Sequence, residues 1–477
     1  MKARQVLAFI FGVFLLLGAA WAVFPAEGVR VGGRHLRFAS YRGYVRDAME
    51  REVDVDSVLN ALDGRFAMHE DTLAFYREFF YENPDRIYLP DDDYTFFDTV
   101  FCAFEQARDS GRTVRVAHYG DSQIEMDRIS QNLREALQER FGGSGTGMFP
   151  ALTTTPMASV SHYASGSFAF FTMIVDSTSR RAGHNRYGPL AQVTGLYGGG
   201  TVNLRAEREK STLEHLRSFQ SVSLLYGRGS VDFSAAVQSD TLSPEPVIRA
   251  DSCATWMTWT FDRPVERATL KLTGSAEIYG VATDGVAGVT VDNVPLRGST
   301  GNILPRIDKA LLKTAYDLDG TALVILQFGG NFVPRAGSSK AISGYMDEVR
   351  ELFAYYREVA PGAKILFIGP SDMASSTEDG RIVSYRRLPE LVDSLKAVSL
   401  GSGVAYWDLY RMMGGQNSMS QWVRHYPAYA GPDYVHFTPA GAKVVGETLS
   451  RSLLTYYDFY DLRKTLPAAA VQQRMER

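Results

Sequence analysis

Ser122 stands where a serine can act as a nucleophile. The run Val114-Arg115-Val116-Ala117-His118-Tyr119 reads as a buried strand, Gly120-Asp121-Ser122-Gln123 as a turn, and Met126, Ile129, Leu133 and Leu137 then recur at helical spacing. At such an elbow the helix's unpaired N–H groups favour negative charge developing beside the hydroxyl. The same letters, Ser122-Gln123-Ile124-Glu125, also spell a capping box that starts a helix with no chemistry. On this stretch alone the two readings are even. Downstream, Asp433-Tyr434-Val435-His436 sets an aspartate three residues before a histidine, a spacing that none of the other seven of the eight histidines has. An imidazole takes a serine proton only when held in one tautomer, and a carboxylate on its other ring nitrogen does this. Thr438 and Pro439 read as the N-cap and first residue of a following helix, which would anchor that loop.

Two further pieces lie between these ends. Gly288-Val289-Thr290-Val291 reads as a strand leading to Arg297-Gly298-Ser299-Thr300-Gly301, and Ala322–Phe328 as a strand leading to Gly329-Gly330-Asn331. A glycine lets its backbone N–H approach an oxyanion, and an asparagine amide is a second donor. Taken singly, each cluster also reads as an ordinary turn.

In chain order these blocks supply Ser, Gly, Asn and His, and here the sequence resembles the SGNH hydrolases, also called GDSL-like lipases or acylhydrolases. The resemblance implies that Ser122 is the nucleophile, that Asp433 and His436 complete its triad, and that Gly298 and Asn331 join the Ser122 N–H as an oxyanion hole. Glutamine stands at 123 where that family usually has leucine, which resembles its branch of peptidoglycan and polysaccharide O-acetylesterases. The implied fold is a flavodoxin-like three-layer α/β/α domain with a parallel sheet, and no metal or organic cofactor is implied.

The pattern around the motifs agrees with such an architecture. Strand signals at 113–119, 288–291, 322–328, 364–369 and 404–407 alternate with helical stretches at 343–359 and 389–399, which predicts βαβ units with the site at the carboxyl ends of the strands. Residues 150–287 break the alternation with short strand-like runs at 221–226, 230–233, 255–261 and 268–272. They predict an inserted β-sandwich, which by the same resemblance is carbohydrate-binding-like. The expected organisation is a leader at 1–24, a lead-in at 25–95, a discontinuous hydrolase domain at 96–149 and 288–463, the insert, and a flexible tail at 464–477.

Composition narrows the function. With 477 residues and a net charge of −4, and without a basic tract, the chain has no electrostatic case for a nucleic-acid partner. Two cysteines, Cys102 and Cys253, exclude a disulfide framework and read as buried small residues. No Cys/His spacing suits zinc. Lys2 and Arg4 precede an apolar run from Val6 to Phe24, with Ala20-Trp21-Ala22 fitting a cleavage site, so a removed signal peptide or a retained membrane anchor is expected. Either exports the rest to the periplasm or cell envelope. The expected function is an exported serine esterase that removes O-acetyl groups from a glycan. A glycan O-acetyltransferase with the same triad and a non-catalytic glycan-binding protein are the alternatives, and a metal phosphoesterase using His118 and Asp121 is a third. Trp422 and Tyr434, close before His436, are read as sugar-binding candidates, although core packing is the commoner fate of such residues. The Gly142–Gly147 run follows a helix, whereas a phosphate-cradling loop precedes one.

Overall fold

The computed structural model describes residues 72–475, apart from 153–155, 175–178, 208–212, 240–246 and 249–253, together with 5, 12–17, 19, 29–31 and 34–36. The chain divides into two compact units, Met1–Val55 and Asp56–Arg477. In the first, Val29–Val31 pairs antiparallel with Arg34–Leu36. The leader at 1–24 lies largely outside the described residues, and no described helix is long and apolar enough to cross a membrane.

The second unit is built on a six-stranded sheet. Its strands are β1 (Ile87–Tyr88), β2 (Thr113–Gly120), β3 (Gly288–Pro295), β4 (Thr321–Gln327), β5 (Lys364–Ile368) and β6 (Ala405–Trp407), in the order β3-β2-β4-β5-β6-β1. All neighbours are parallel except the edge pair β6 and β1. Such a sheet must be covered on both faces, and the near-continuous apolar runs of β2 and β4 meet that demand. On one face Tyr119, Leu326 and Phe367 pack with Leu312, Phe353 and Leu391 of helices α3 (Lys309–Asp319), α4 (Ser339–Val359) and α5 (Leu388–Gly401). The other face carries α1 (Asp98–Ser110), α2 (Ser130–Phe141) and α6 (Pro439–Arg463), joined by Phe141, whose ring lies 5.2 Å from Phe104 and 4.6 Å from Tyr457.

Residues 147–284 form a separate antiparallel sheet of eight strands. Its long strand Arg267–Asp284 pairs with 192–206 and 234–238 along its first half and with 219–227 and 147–149 along its second. The sheet's own core, with Val202, Leu224, Trp259 and Leu270, draws on these residues alone, so the sheet folds over to bury it. The expected strand at 230–233 is a turn, and the strand begins at Ser234. The insert is also joined firmly to the parallel-sheet core. Buried Arg115 of β2 donates to Asp292 of β3 at 2.8 Å and pairs with Asp284 at the end of the long strand. Tyr119 donates to the Pro189 carbonyl at 2.6 Å, and Met148, Leu190 and Tyr279 pack into the core of the parallel sheet.

Other expectations change. Residues 468–475 form a helix instead of a flexible tail, because Val471 and Met475, four apart, are buried and the Met475 carbonyl accepts from Tyr81 of the helix Thr72–Glu82. Cys102 is half-buried, not buried, and accepts a bond from Gln106, whereas Cys253 lies outside the described residues.

His118 on β2 belongs to the core, and among the described residues no group of three or more histidines, cysteines and acids gathers to hold a metal. Its Nδ1 lies 2.9 Å from Ser130 Oγ and its Nε2 3.1 Å from Gln327 Oε1, so both ring nitrogens are engaged. Burial pushes its pKa from 6.5 down to about 4, against the hydrogen bond with Gln327. Its stabilising contribution is therefore complete above about pH 6.5 and is lost as the pH falls toward about 4, where the unfolded chain alone takes up the proton. Urea melts at pH 7.5 and 4.5 are expected to show His118→Gln losing about 2–3 kcal/mol less than the wild type over that interval. Equal losses would remove His118 as a source of acid sensitivity.

Candidate active site

Four of the sequence blocks end up at the carboxyl ends of the parallel strands. Ser122 follows β2, Gly298 follows β3, Asn331 follows β4, and His436 reaches in from the loop before α6. Ser122 opens a 3-10 turn, Ser122–Asp127, and the expected helix begins only at Ser130. Asp121 caps that turn by accepting the Gln123 N–H at 3.0 Å. Met126 and Asp127 have φ of +62° and +65°, so the apolar spacing that suggested a continuous helix is interrupted by left-handed backbone.

Ser122 Oγ lies 2.8 Å from His436 Nε2, and His436 Nδ1 lies 2.7 Å from Asp433 Oδ2. Residues 314 apart thus meet at hydrogen-bonding distance. The other carboxylate oxygen, Oδ1, accepts the backbone N–H groups of Val435 and His436 at 3.0 and 3.1 Å, fixing the loop that carries the ring. Burial works to raise the Asp433 carboxyl, but the bonds from the His436 ring and the backbone bring it below its ordinary value, so it is ionised at neutral pH. Helix α6 approaches so closely that a Cβ on Gly441 would sit 1.9 Å from the Tyr429 carbonyl. Thr438 caps that helix through the Gly441 N–H and donates its hydroxyl to the Ala428 carbonyl at 2.6 Å.

Ser122 and His436 open onto a cavity of about 240 Å³ whose walls include Asn331, Phe328, Met373 and Tyr385. Asn331 Nδ2 donates to Asp121 Oδ2 at 3.0 Å and to the Ser299 carbonyl at 3.1 Å. Asp121 is buried behind the nucleophile. Desolvation lifts its pKa to about 6, opposed by the Gln123 N–H, the charge of His436 and Asn331.

Not every sequence candidate lines this cavity. Gly298 is exposed, with φ +77°, on the turn one residue before Ser299, and it is not part of the cavity wall. Trp422 is fully buried, donates its indole N–H to the Met413 carbonyl at 3.1 Å and packs on Tyr429 and Phe437, so it is no sugar platform. Tyr434 also stands outside the cavity wall. Its φ of +57° and its backbone bonds to Gly431 and Ala374 make it the bend of the histidine loop. Sequence reasoning passed over Arg128, Met373 and Tyr385. Arg128 left no local signal, because its partners Glu125, Ser122 and Phe437 are backbone carbonyls, one of them 309 residues away.

A serine, histidine and aspartate so linked at the C-terminal edge of a parallel α/β sheet define an acyl-hydrolase type of site. Residues 263–444 match the model of the GDSL-like Lipase/Acylhydrolase family, a span that holds Gly298, Asn331, Asp433 and His436 but not Ser122. Over that span the chain is similar to the GDSL-like, or SGNH, family. Among solved structures it is similar to one described as a peptidoglycan O-acetylesterase in action, with a TM-score of 0.60 and 22% identity over 76% of this chain and 96% of that one. A family two carbohydrate esterase from Clostridium thermocellum, in complex with cellohexaose, aligns with a TM-score of 0.28 and 11% identity over 61% of this chain and 99% of that one. No curated protein sequence matches the chain.

Ser122→Ala and His436→Ala are each expected to lower kcat on an aryl acetate by about 10³-fold or more, with little further loss when combined. Asn331→Ala is expected to cost roughly 10²–10³-fold in kcat. Wild-type turnover by Ser122→Ala would place the nucleophile elsewhere, and a KM rise at unchanged kcat would make Asn331 a binding residue only.

Proposed function

We propose that this chain is an exported serine esterase that removes O-acetyl groups from a cell-envelope or other glycan. The observation that carries the reading is the Ser122–His436–Asp433 chain of hydrogen bonds opening onto a small, largely apolar cavity. At about 240 Å³ the cavity falls below the ~300–1,000 Å³ of pockets that enclose drug-sized ligands, which suits a short acyl group. In this mechanism Ser122 Oγ attacks the acetyl carbonyl carbon as His436 Nε2 takes its proton. The Ser122 N–H and Asn331 stabilise the oxyanion, and Asn331 must shift one donor from Asp121 or Ser299 to do so. His436 then gives the proton to the departing sugar hydroxyl. Water, deprotonated by the same ring, cleaves the acetyl-enzyme to acetate and free serine.

Accessibility favours hydrolysis over transfer to a second sugar. The His436 and Asp433 side chains are 41% and 51% exposed, so water reaches the base without a closing step. The solved relative described as a peptidoglycan O-acetylesterase supports an acetylated glycan as substrate. The Lys2/Arg4 flank and the apolar run support export. The antiparallel insert is assigned the recognition of the polymer.

Acetate release from O-acetylated peptidoglycan and from an acetylated polysaccharide tests the reading. Release is expected from the wild type, unchanged by a chelator and absent in Ser122→Ala, with the protein recovered in the envelope or periplasmic fraction. Chelator-sensitive release that survives Ser122→Ala would overturn the serine mechanism. Full-length protein soluble in the cytoplasm would overturn export.

A further inference from the structure

We propose that Gln123 is a positioning residue whose carboxamide sets where His436 stands relative to the Ser122 hydroxyl. The inference rests on the serine mechanism above and goes beyond it. Around His436, three residues present six backbone polar groups, and each has a partner. Asp433 Oδ1 accepts the Val435 and His436 N–H groups, and the His436 carbonyl accepts the Gly431 N–H at 2.8 Å, all within the loop. The other three partners come from the nucleophile's turn. Gln123 Nε2 donates to the Val435 carbonyl at 2.6 Å, Gln123 Oε1 accepts the Phe437 N–H at 3.3 Å, and Arg128 Nη1 donates to the Phe437 carbonyl at 3.0 Å.

The carboxamide therefore grips the two residues on either side of the histidine while its own backbone follows Ser122. Asp433 fixes which ring nitrogen bears the proton. Gln123 fixes how far the other one stands from Ser122 Oγ. The glutamine is buried, so losing its amide leaves the buried Phe437 N–H and the half-buried Val435 carbonyl without these partners. Leucine, the family's usual residue at this position, has no group for either bond. Glutamic acid is the informative replacement: protonated, it can donate to Val435 and accept from Phe437 as the amide does, whereas ionised it opposes the Val435 carbonyl.

The test is the rate at which a fluorophosphonate labels Ser122, together with kcat and KM on an aryl acetate, in wild type, Gln123→Met and Gln123→Glu, each checked for folding by circular dichroism. Gln123→Met is expected to slow labelling and lower kcat about tenfold or more with KM within about twofold, since small misplacements cost rate and not binding. Gln123→Glu is expected to match that loss at pH 8 and to approach the wild-type rate at pH 5 when compared at the same pH. Labelling of Gln123→Met within about twofold of wild type, or a Gln123→Glu deficit independent of pH, overturns the inference. If the methionine variant does not fold, the pH dependence of Gln123→Glu decides alone. Unlabelled wild-type Ser122 overturns the serine mechanism and the inference with it. Labelling without acetate release overturns only the choice of substrate, and the labelling rates of the Gln123 variants then decide whether the clamp exists.

Discussion

The guanidinium of Arg134 is fully buried, and its partners decide where the nucleophile stands. It donates to both carboxylate oxygens of Asp127, at 2.7 and 3.0 Å, and through Nε to the Val291 carbonyl of β3 at 2.7 Å. Asp127 ends the turn that begins with Ser122, and it also accepts the Ser159 hydroxyl from the insert. A buried guanidinium without such partners carries a desolvation cost that its surroundings cannot recover, so the geometry is demanded and not merely allowed. That demand pulls Met126 and Asp127 into left-handed backbone and halts the helix until Ser130. The serine turn, α2, β3 and Ser159 of the insert thereby meet at one buried guanidinium and its carboxylate.

A second constraint follows from the distance in sequence between the nucleophile and its base. Ser122 is held by the sheet, whereas His436 is on a loop joined to α6, and nothing local makes them meet. Thr438, Gly441 and the bridge between Ala430 and Phe437 set the loop against α6. Arg128 then reaches across to the Phe437 carbonyl. The same logic joins insert to hydrolase: Arg115 lies between Asp284 and Asp292, so the long strand of the insert ends on the charge that also braces β3. Excising the insert would strip a buried cation of one of its two partners, which separates this insert from a freely tethered binding module.

The legible part of the fold was the part decided locally. Strands β2 and β4 showed as apolar runs because both of their faces are covered, and α4 and α5 showed because each buries one stripe. The turn after Ser122 misled for the opposite reason. Ile129, Leu133 and Leu137 do face the core at helical spacing, but a buried ion pair outweighs the weak preference of Met126 for helix. Trp422 near His436 reads identically whether it points inward or outward, and only the Met413 carbonyl waiting for its indole N–H settles the matter. The helix at 468–475 was readable, since Val471 and Met475 lie four apart after Pro467.

Contrast between the two sides of the nucleophile explains how one site can be both rigid and open. Behind Ser122 the polar groups are dry: Asp121, His118 and Gln327 are all buried, and desolvation leads the shifts of the two that titrate, Asp121 and His118. In front, His436 and Asp433 are about half exposed. Water in front lowers the cost of forming an imidazolium during catalysis, whereas a dry back holds the Ser122 turn and Asp121, so that Asn331 moves a donor from a fixed partner when the oxyanion forms. Were the front equally dry, the His436–Asp433 pair would have to offset its own desolvation before any chemistry. Were the back equally wet, Asp121 could hold Asn331 no more firmly than a surface hydrogen bond does. The division of burial is thus what lets a loop-borne histidine serve a strand-borne serine.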